Sequence, residues 1–158
     1  MAKLEVKENK KLVLKNVLKK ELRNIAMEEL NKEIEDFGNM LQLLHVQVFG
    51  PLIIKNAGMQ IHEDGTISLD YDLIVQAHDY QQYKDKYVTQ EKIVAENCIY
   101  VRFEGASEEI NYAYAKLDLY IYENDLIATG EDYTIHINNH PDYSVVDIFR
   151  VVNRNETL

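Results

Sequence analysis

The sequence predicts an α+β protein in which one order of elements, strand, helix, strand, strand, is used twice. Three observations carry that prediction. An apolar run, a long amphipathic helix and a closing β-hairpin occupy residues 11–77, and the same order returns across residues 92–152. The closing strands align carboxylate on carboxylate: Tyr71-Asp72-Leu73-Ile74-Val75 against Val146-Asp147-Ile148-Phe149-Arg150. At 158 residues the chain has the size of one domain, and such a chain buries roughly 70% of the surface its unfolded form exposes. The expected organisation is therefore a single domain: repeat one over 11–77, a connector over 78–91 and repeat two over 92–152. The two repeats share a core and leave a groove where they meet.

The first element is a short strand over Leu12–Leu18, although its interspersed lysines also allow the helix to begin early. The helix that follows is defined by Leu30, Ile34, Phe37, Leu41 and Leu44, whose steps of four and three place them on one face. Asn24 is its expected N-cap, with glutamates in the next turns complementing the helix dipole. Gly38 within it costs about 1 kcal/mol relative to Ala and marks either a kink or a close approach. Gly50-Pro51 punctuates the start of the next strand, and Asp64-Gly65 between alternating flanks signals a hairpin. The returning strand places Ile67, Leu69, Tyr71, Leu73 and Val75 on a buried face and Ser68, Asp70 and Asp72 on a wetter one.

Residues 78–91 are polar, with three spaced tyrosines, and read as the connector. Ile93 to Phe103 alternates as a strand, and Glu104-Gly105-Ala106 is a turn. Ser107 caps a second helix with the apolar stripe Ile110, Tyr114, Leu117 and Ile121, which Asn124 and Asp125 end. Thr134–Ile137 and Val145–Val152 form the second hairpin, joined by Asn138-Asn139-His140-Pro141-Asp142.

Composition narrows the function classes. The net charge is −10, but the first twenty residues hold seven Lys and two Glu, net +5, leaving −15 for the rest. So acidic a body repels phosphate backbones, which argues against nucleic acid as a partner and favours cations. The Lys-rich start is either a solvated, frayed end or a contact strip for an acidic partner. No run approaches the roughly 20 apolar residues that would cross a bilayer, and the amino terminus lacks an apolar secretion-signal region. The expectation is a cytoplasmic protein without membrane contact. The lone Cys98 reads as a buried structural thiol.

The sequence Phe103-Glu104-Gly105-Ala106-Ser107 after a strand, the amphipathic helix, the polar hairpin and a last strand with a carboxylate before Ile148 together resemble the GyrI-like effector-binding domain. That family includes ligand-binding halves of multidrug-sensing transcription activators and stand-alone proteins. The resemblance implies tandem pseudo-symmetric β-α-β-β repeats forming one antiparallel sheet, with two helices packed on it and a cleft at the junction. It is best over 92–152 and weaker over 11–77. The family's His-x-Gly-Pro turn keeps only its glycine here, and Arg150-Val151-Val152 lacks the usual proline-containing end.

In drug-sensing members a carboxylate on the last strand neutralises a lipophilic cation among aromatic side chains, and the matching residue here is Asp147. Tyrosine faces attract cations by roughly 0.5–2 kcal/mol each. The alternative is that Asp147 is a solvated strand residue or pairs with Arg102 or Arg150. Eleven tyrosines and no tryptophan enrich the chain in amphipathic walls. Tyr71, Tyr114 and Phe149 are the candidates for a cleft, by their positions on the closing strands and the second helix. Some GyrI-like proteins cleave small electrophiles with a carboxylate and a tyrosine, and Glu131, Asp147 and Tyr133 are the groups here that would have to converge for that chemistry.

His136 and His140 are four apart, a ligand spacing only on a helix, and the Asn138-Asn139 between them reads as turn, so neither metal nor haem is expected. There is no Gly-rich phosphate loop or nucleophile elbow, and the first twenty residues are too short for a helix-turn-helix. The reading is a non-catalytic module, without cofactor, that binds a small cationic or amphipathic ligand in a cleft between the repeats. The alternatives are a protein–protein adaptor associated with a bacterial secretion or toxin system, and a small hydrolase using a carboxylate–tyrosine pair.

Overall fold

A computed structural model describes residues 4–140 and 142–154. Lys3 of the basic start and Pro141 of the second turn lie outside the described residues. The fold is α+β, with all the strand pairs described below antiparallel. Two compact units are formed, one from Leu14–Ile93 and one from Met1–Val13 together with Val94–Leu158.

Strand β1 (Lys7–Ile25) is far longer than the short strand expected, and it reaches across the residue assigned as a helix cap. The reason lies in three asparagines. Asn9, Asn16 and Asn24 all take positive φ, near +55°, a conformation asparagine tolerates better than most residues. Around Asn24 the pairing register with the neighbouring strand shifts, between Leu22 and Ile25, as at a β-bulge. Leu14, Val17 and Leu18 are all buried on either side of the left-handed Asn16, so the period of two is lost there. Asn24 therefore bends a strand. Helix α1 (Leu30–Leu43) follows a 3-10 turn over Met27–Glu29 and has no side-chain cap.

In the Leu14–Ile93 unit, β3 (Ile67–Ala77) pairs with β1 on one side and with β2 (Val48–Ile61) on the other. The β2 strand runs through Gly50-Pro51, and the register shift between Phe49 and Ile53 accommodates the proline, which has no N–H to give to the ladder. Gly65, at φ +86° in the hairpin turn, is where the Asp-Gly pair predicts it. Phe37 and Leu41 of α1 pack on Leu18, Leu22, Leu73 and Val75, a burial that contributes about 1.5–3 kcal/mol for each large side chain. A Cβ on Gly38 would meet nothing within 4 Å, so this glycine serves no close approach. The face of β3 expected to be wetter is not: Asp72 and Ile74 are 2% and 0% exposed. The Asp72 carboxylate is held by Arg23 Nη1 at 2.8 Å, with Lys19 Nζ at 3.9 Å.

In the other unit, β6 (Ser144–Arg154) lies between β4 (Val88–Gly105) and β5 (Leu126–Asn139). The strand β4 takes in the end of the segment expected to be a connector; a 3-10 turn over Tyr80–Tyr83 is the regular structure before it. Helix α2 (Asn111–Glu123) packs Ala113 and Leu117 against Ile99, Val101, Phe103, Val146, Ile148 and Val152, with Ile110, Tyr114 and Ile121 at the margin. Ser107 does not cap it. Its hydroxyl instead bonds to Ser144 Oγ and to His140 O, tying the helix start to the β5–β6 turn. Gly105 leaves β4 at φ +157°, where a Cβ would stand 3.3 Å from the Phe103 ring.

Candidate functional site

Strand alternation divides β4 and β6 into two faces. Ile99, Val101 and Phe103 with Val146, Ile148 and Val152 face α2, which leaves Tyr100, Arg102, Asp147 and Phe149 on the face away from the helix. The β4–β6 register sets Arg102 directly opposite Asp147 and Tyr100 opposite Phe149. On the other side of β6, Ile135 is opposite Asp147 and Tyr133 opposite Phe149. The ladder thus assembles one carboxylate, one guanidinium and three aromatic rings from three strands.

The Asp147 side chain is met by three donors. Arg102 grips it with both prongs, Nε to Oδ1 at 2.7 Å and Nη2 to Oδ2 at 2.9 Å, and the Tyr100 hydroxyl donates to Oδ1 at 2.8 Å. Bidentate geometry of this kind is among the stronger polar contacts in proteins. Asp147 is 9% exposed, yet the Arg102 side chain that neutralises it is 47% exposed. The pair therefore has a buried anion and a half-solvated cation. The hydrogen bonds and charge of Asp147 push the Arg102 guanidinium above its usual pKa. Burial, then Asp147, push the Tyr100 phenol up to about 12, so it stays protonated and serves as a donor. The Tyr100 and Phe149 rings stack at 4.9 Å between centroids, tilted by 39°.

The other expected site residues are dispersed. Phe149 and Tyr133 share this face and are cross-strand neighbours, and Glu131 precedes Tyr133 by two positions on β5. Tyr114 stands on α2, its hydroxyl bonded to Thr134 Oγ1 at 2.8 Å, on the helix side of the sheet. Tyr71 belongs to the Leu14–Ile93 unit, where it packs at the margin of the α1 cluster. Arg150 does not reach Asp147: it points to the α2 side and bonds to Asp132, Nε to Oδ1 at 2.9 Å, and to Asp118. The Tyr100 contribution escapes a sequence reading because it depends on cross-strand register, which residue spacing alone does not fix.

Cys98 is fully buried and its thiol donates to Ala95 O at 3.5 Å. Burial, with the charge of Glu131, pushes that thiol up to about 11, which suits a structural role. Among the described residues no group of three or more His, Cys, Asp or Glu is placed to hold a metal ion, and no helix is long and apolar enough to cross a membrane.

Comparison with protein-family models finds no match, and comparison with curated proteins finds none either. Solved structures do match. The chain superimposes on EcmrR in a complex with DNA at TM-score 0.70 and 14% identity, covering 96% of this chain and 57% of that one. It matches the isolated EcmrR C-terminal domain at TM-score 0.65 and 14% identity, covering 96% and 98%. A hydrolase from Listeria innocua encoded by lin2189 matches at TM-score 0.51 and 11% identity, over 96% and 92%. SAV2435 bound to tetraphenylphosphonium matches at TM-score 0.50 and 12% identity, over 96% and 94%. The chain thus spans a little over half of the EcmrR chain, and it has the fold of the EcmrR C-terminal domain over almost all its length.

Proposed function

We propose that this chain is a GyrI-like effector-binding domain, a single domain of two repeats over about 11–77 and 92–152, that binds a small cationic or amphipathic molecule. The observation that carries the reading is a buried carboxylate among aromatic rings whose counter-charge is half in solvent. Asp147 is desolvated, flanked by Tyr100 and Phe149, and balanced by an Arg102 side chain that is 47% exposed. A lipophilic cation gains from such a site in two ways, through the carboxylate and through the ring faces. To enter, it displaces Arg102, and a half-exposed guanidinium regains its hydration at little cost. The SAV2435 complex with tetraphenylphosphonium supports this ligand chemistry on a shared fold.

Hydrolysis is the second reading, favoured by the Tyr100–Asp147 hydrogen bond and by the fold shared with the Listeria hydrolase. The carboxylate that would serve as base is held at both oxygens by Arg102, so binding comes first.

A thermal-shift titration with tetraphenylphosphonium tests the proposal, because a ligand at 100 times its Kd stabilises the native state by about 2.7 kcal/mol. Arg102→Ala, which removes the resident cation, should strengthen binding, and Asp147→Asn should abolish the shift. An equal shift on Asp147→Asn would reject this site.

A further inference from the structure

A hollow lies in the unit formed by Met1–Val13 and Val94–Leu158, on the α2 side of the sheet and so on the opposite face from Asp147. It encloses about 230 Å³, below the roughly 300–1,000 Å³ of sites for drug-sized ligands. Its base is apolar: Ile99 and Val152 come from the α2-side cluster, and Leu126 from the start of β5. Its polar lining holds three asparagines, Asn9 from β1, Asn97 from β4 and Asn153 from β6, together with Glu8 and Arg154.

Two features set this rim apart from an ordinary dent. Asn9 and Asn97 both have left-handed backbones, at φ +57° and +58°, so two strands are bent where they line the hollow. The charges at the rim also cancel. Glu8 accepts the Tyr120 hydroxyl and lies 3.3 Å from Arg154 Nη2, so one anion and one cation stand side by side. The hollow thus presents carboxamides able to donate and accept, one carboxylate that accepts and one guanidinium that donates.

That set selects against a lipophilic cation, which has no hydrogen bonds to offer three amides. It also has no surplus charge for a free phosphate. It fits a neutral ring whose neighbouring hydroxyls both donate and accept, with the C–H face of the ring on Ile99, Leu126 and Val152. We infer that this hollow is a binding site for a small polyhydroxylated ring, a single pyranose or the ribose of a nucleoside, held by Asn9, Asn97, Asn153 and the Glu8–Arg154 pair. This assignment is independent of the Asp147 site.

The test is a nuclear magnetic resonance titration of the full chain, following the side-chain amides of asparagine and Arg154 Nε–H. The probes are D-glucose, D-ribose and uridine, with 2-deoxy-D-ribose as the analogue lacking the 2-hydroxyl. Saturable movement of the Asn9, Asn97 and Asn153 amides is expected, from glucose if the ring is a pyranose and from ribose and uridine if it is a ribose, with the deoxy sugar at least tenfold weaker. Asn97→Gly keeps the positive φ while removing the carboxamide, and it should weaken binding at least tenfold. Asn153→Ala should do the same if the first variant folds poorly, and Asp147→Asn should leave binding unchanged. The assignment is overturned if none of the three sugars gives saturable movement, or if both asparagine variants bind as the parent does. Binding of L-glutamate with the sugars inert would overturn it too.

Discussion

Removing the exposed partner of the Asp147–Arg102 pair should cost more stability than removing the buried one. In Arg102→Met the carboxylate stays behind, with its side chain 12% exposed and only the Tyr100 hydroxyl donating to it. Stripping one partner from a fully buried ion pair costs about 3–5 kcal/mol. Discounted for the residual solvent at Asp147 and for the surviving hydrogen bond, the expected loss is about 2–3 kcal/mol. In Asp147→Asn the group left behind is a guanidinium on a side chain 47% exposed, which water resolvates. The amide keeps most of the shape and one acceptor, so the loss is about 1 kcal/mol. The double variant, with neither charge, should be more stable than Arg102→Met alone, since the two residues act as one unit. Urea unfolding at neutral pH measures all three, and in a chain of this size each kcal/mol moves the melting temperature by about 2–4 °C. If Arg102→Met costs no more than Asp147→Asn, or if the double variant loses the sum of the single losses, the buried-anion argument is wrong.

Two further predictions address other parts of the fold. Gly38 sits inside α1, where an added Cβ would have no neighbour within 4 Å, so Gly38→Ala should stabilise the protein by about 0.5–1 kcal/mol; a loss of stability by urea unfolding would show that the glycine has a packing role. Among the described residues the buried His136 Nε2 has no hydrogen-bond partner, and burial holds the imidazole pKa below the usual 6.5. The unfolded chain therefore binds the proton first as pH falls, so the contribution of His136 to stability is intact above about pH 6.5 and is lost as pH drops toward the folded pKa. The non-titrating His136→Gln should flatten the fall in unfolding midpoint between pH 8 and pH 5; an unchanged slope would refute it.

Much of the fold was legible in residue pattern. The amphipathic spacing of Leu30, Ile34, Phe37 and Leu41 marks α1, Asp64-Gly65 marks its hairpin, and Asn124-Asp125 ends α2 where expected, with Asn124 as C-cap and Asp125 at positive φ. These are local signals, fixed by which backbone angles and which faces a few neighbouring residues favour. The strand β1 was not legible, because the left-handed Asn16 and the bulge at Asn24 interrupt its alternation, and a broken period reads as a strand end. Ser107 and Asn24 show the same limit from the other side. Both suit helix caps, and both are used elsewhere, one in a hydroxyl bond to the β5–β6 turn and one in a bulge.

The sequence by itself determined that Asp147 and Asp72 stand on closing strands, that tyrosines are frequent in the half that holds the former, and that each half runs strand, helix, hairpin. Only the tertiary structure decided what those carboxylates meet. Arg102 is 45 residues from Asp147 and Arg23 is 49 from Asp72, and such partners are chosen by cross-strand register and bulge position. A shift of one residue would turn every side chain of a strand to the other face. Spacing in the sequence fixes what a short stretch can be. The pairing of distant strands fixes which charge is buried, which is left in water, and hence where a ligand has something to gain.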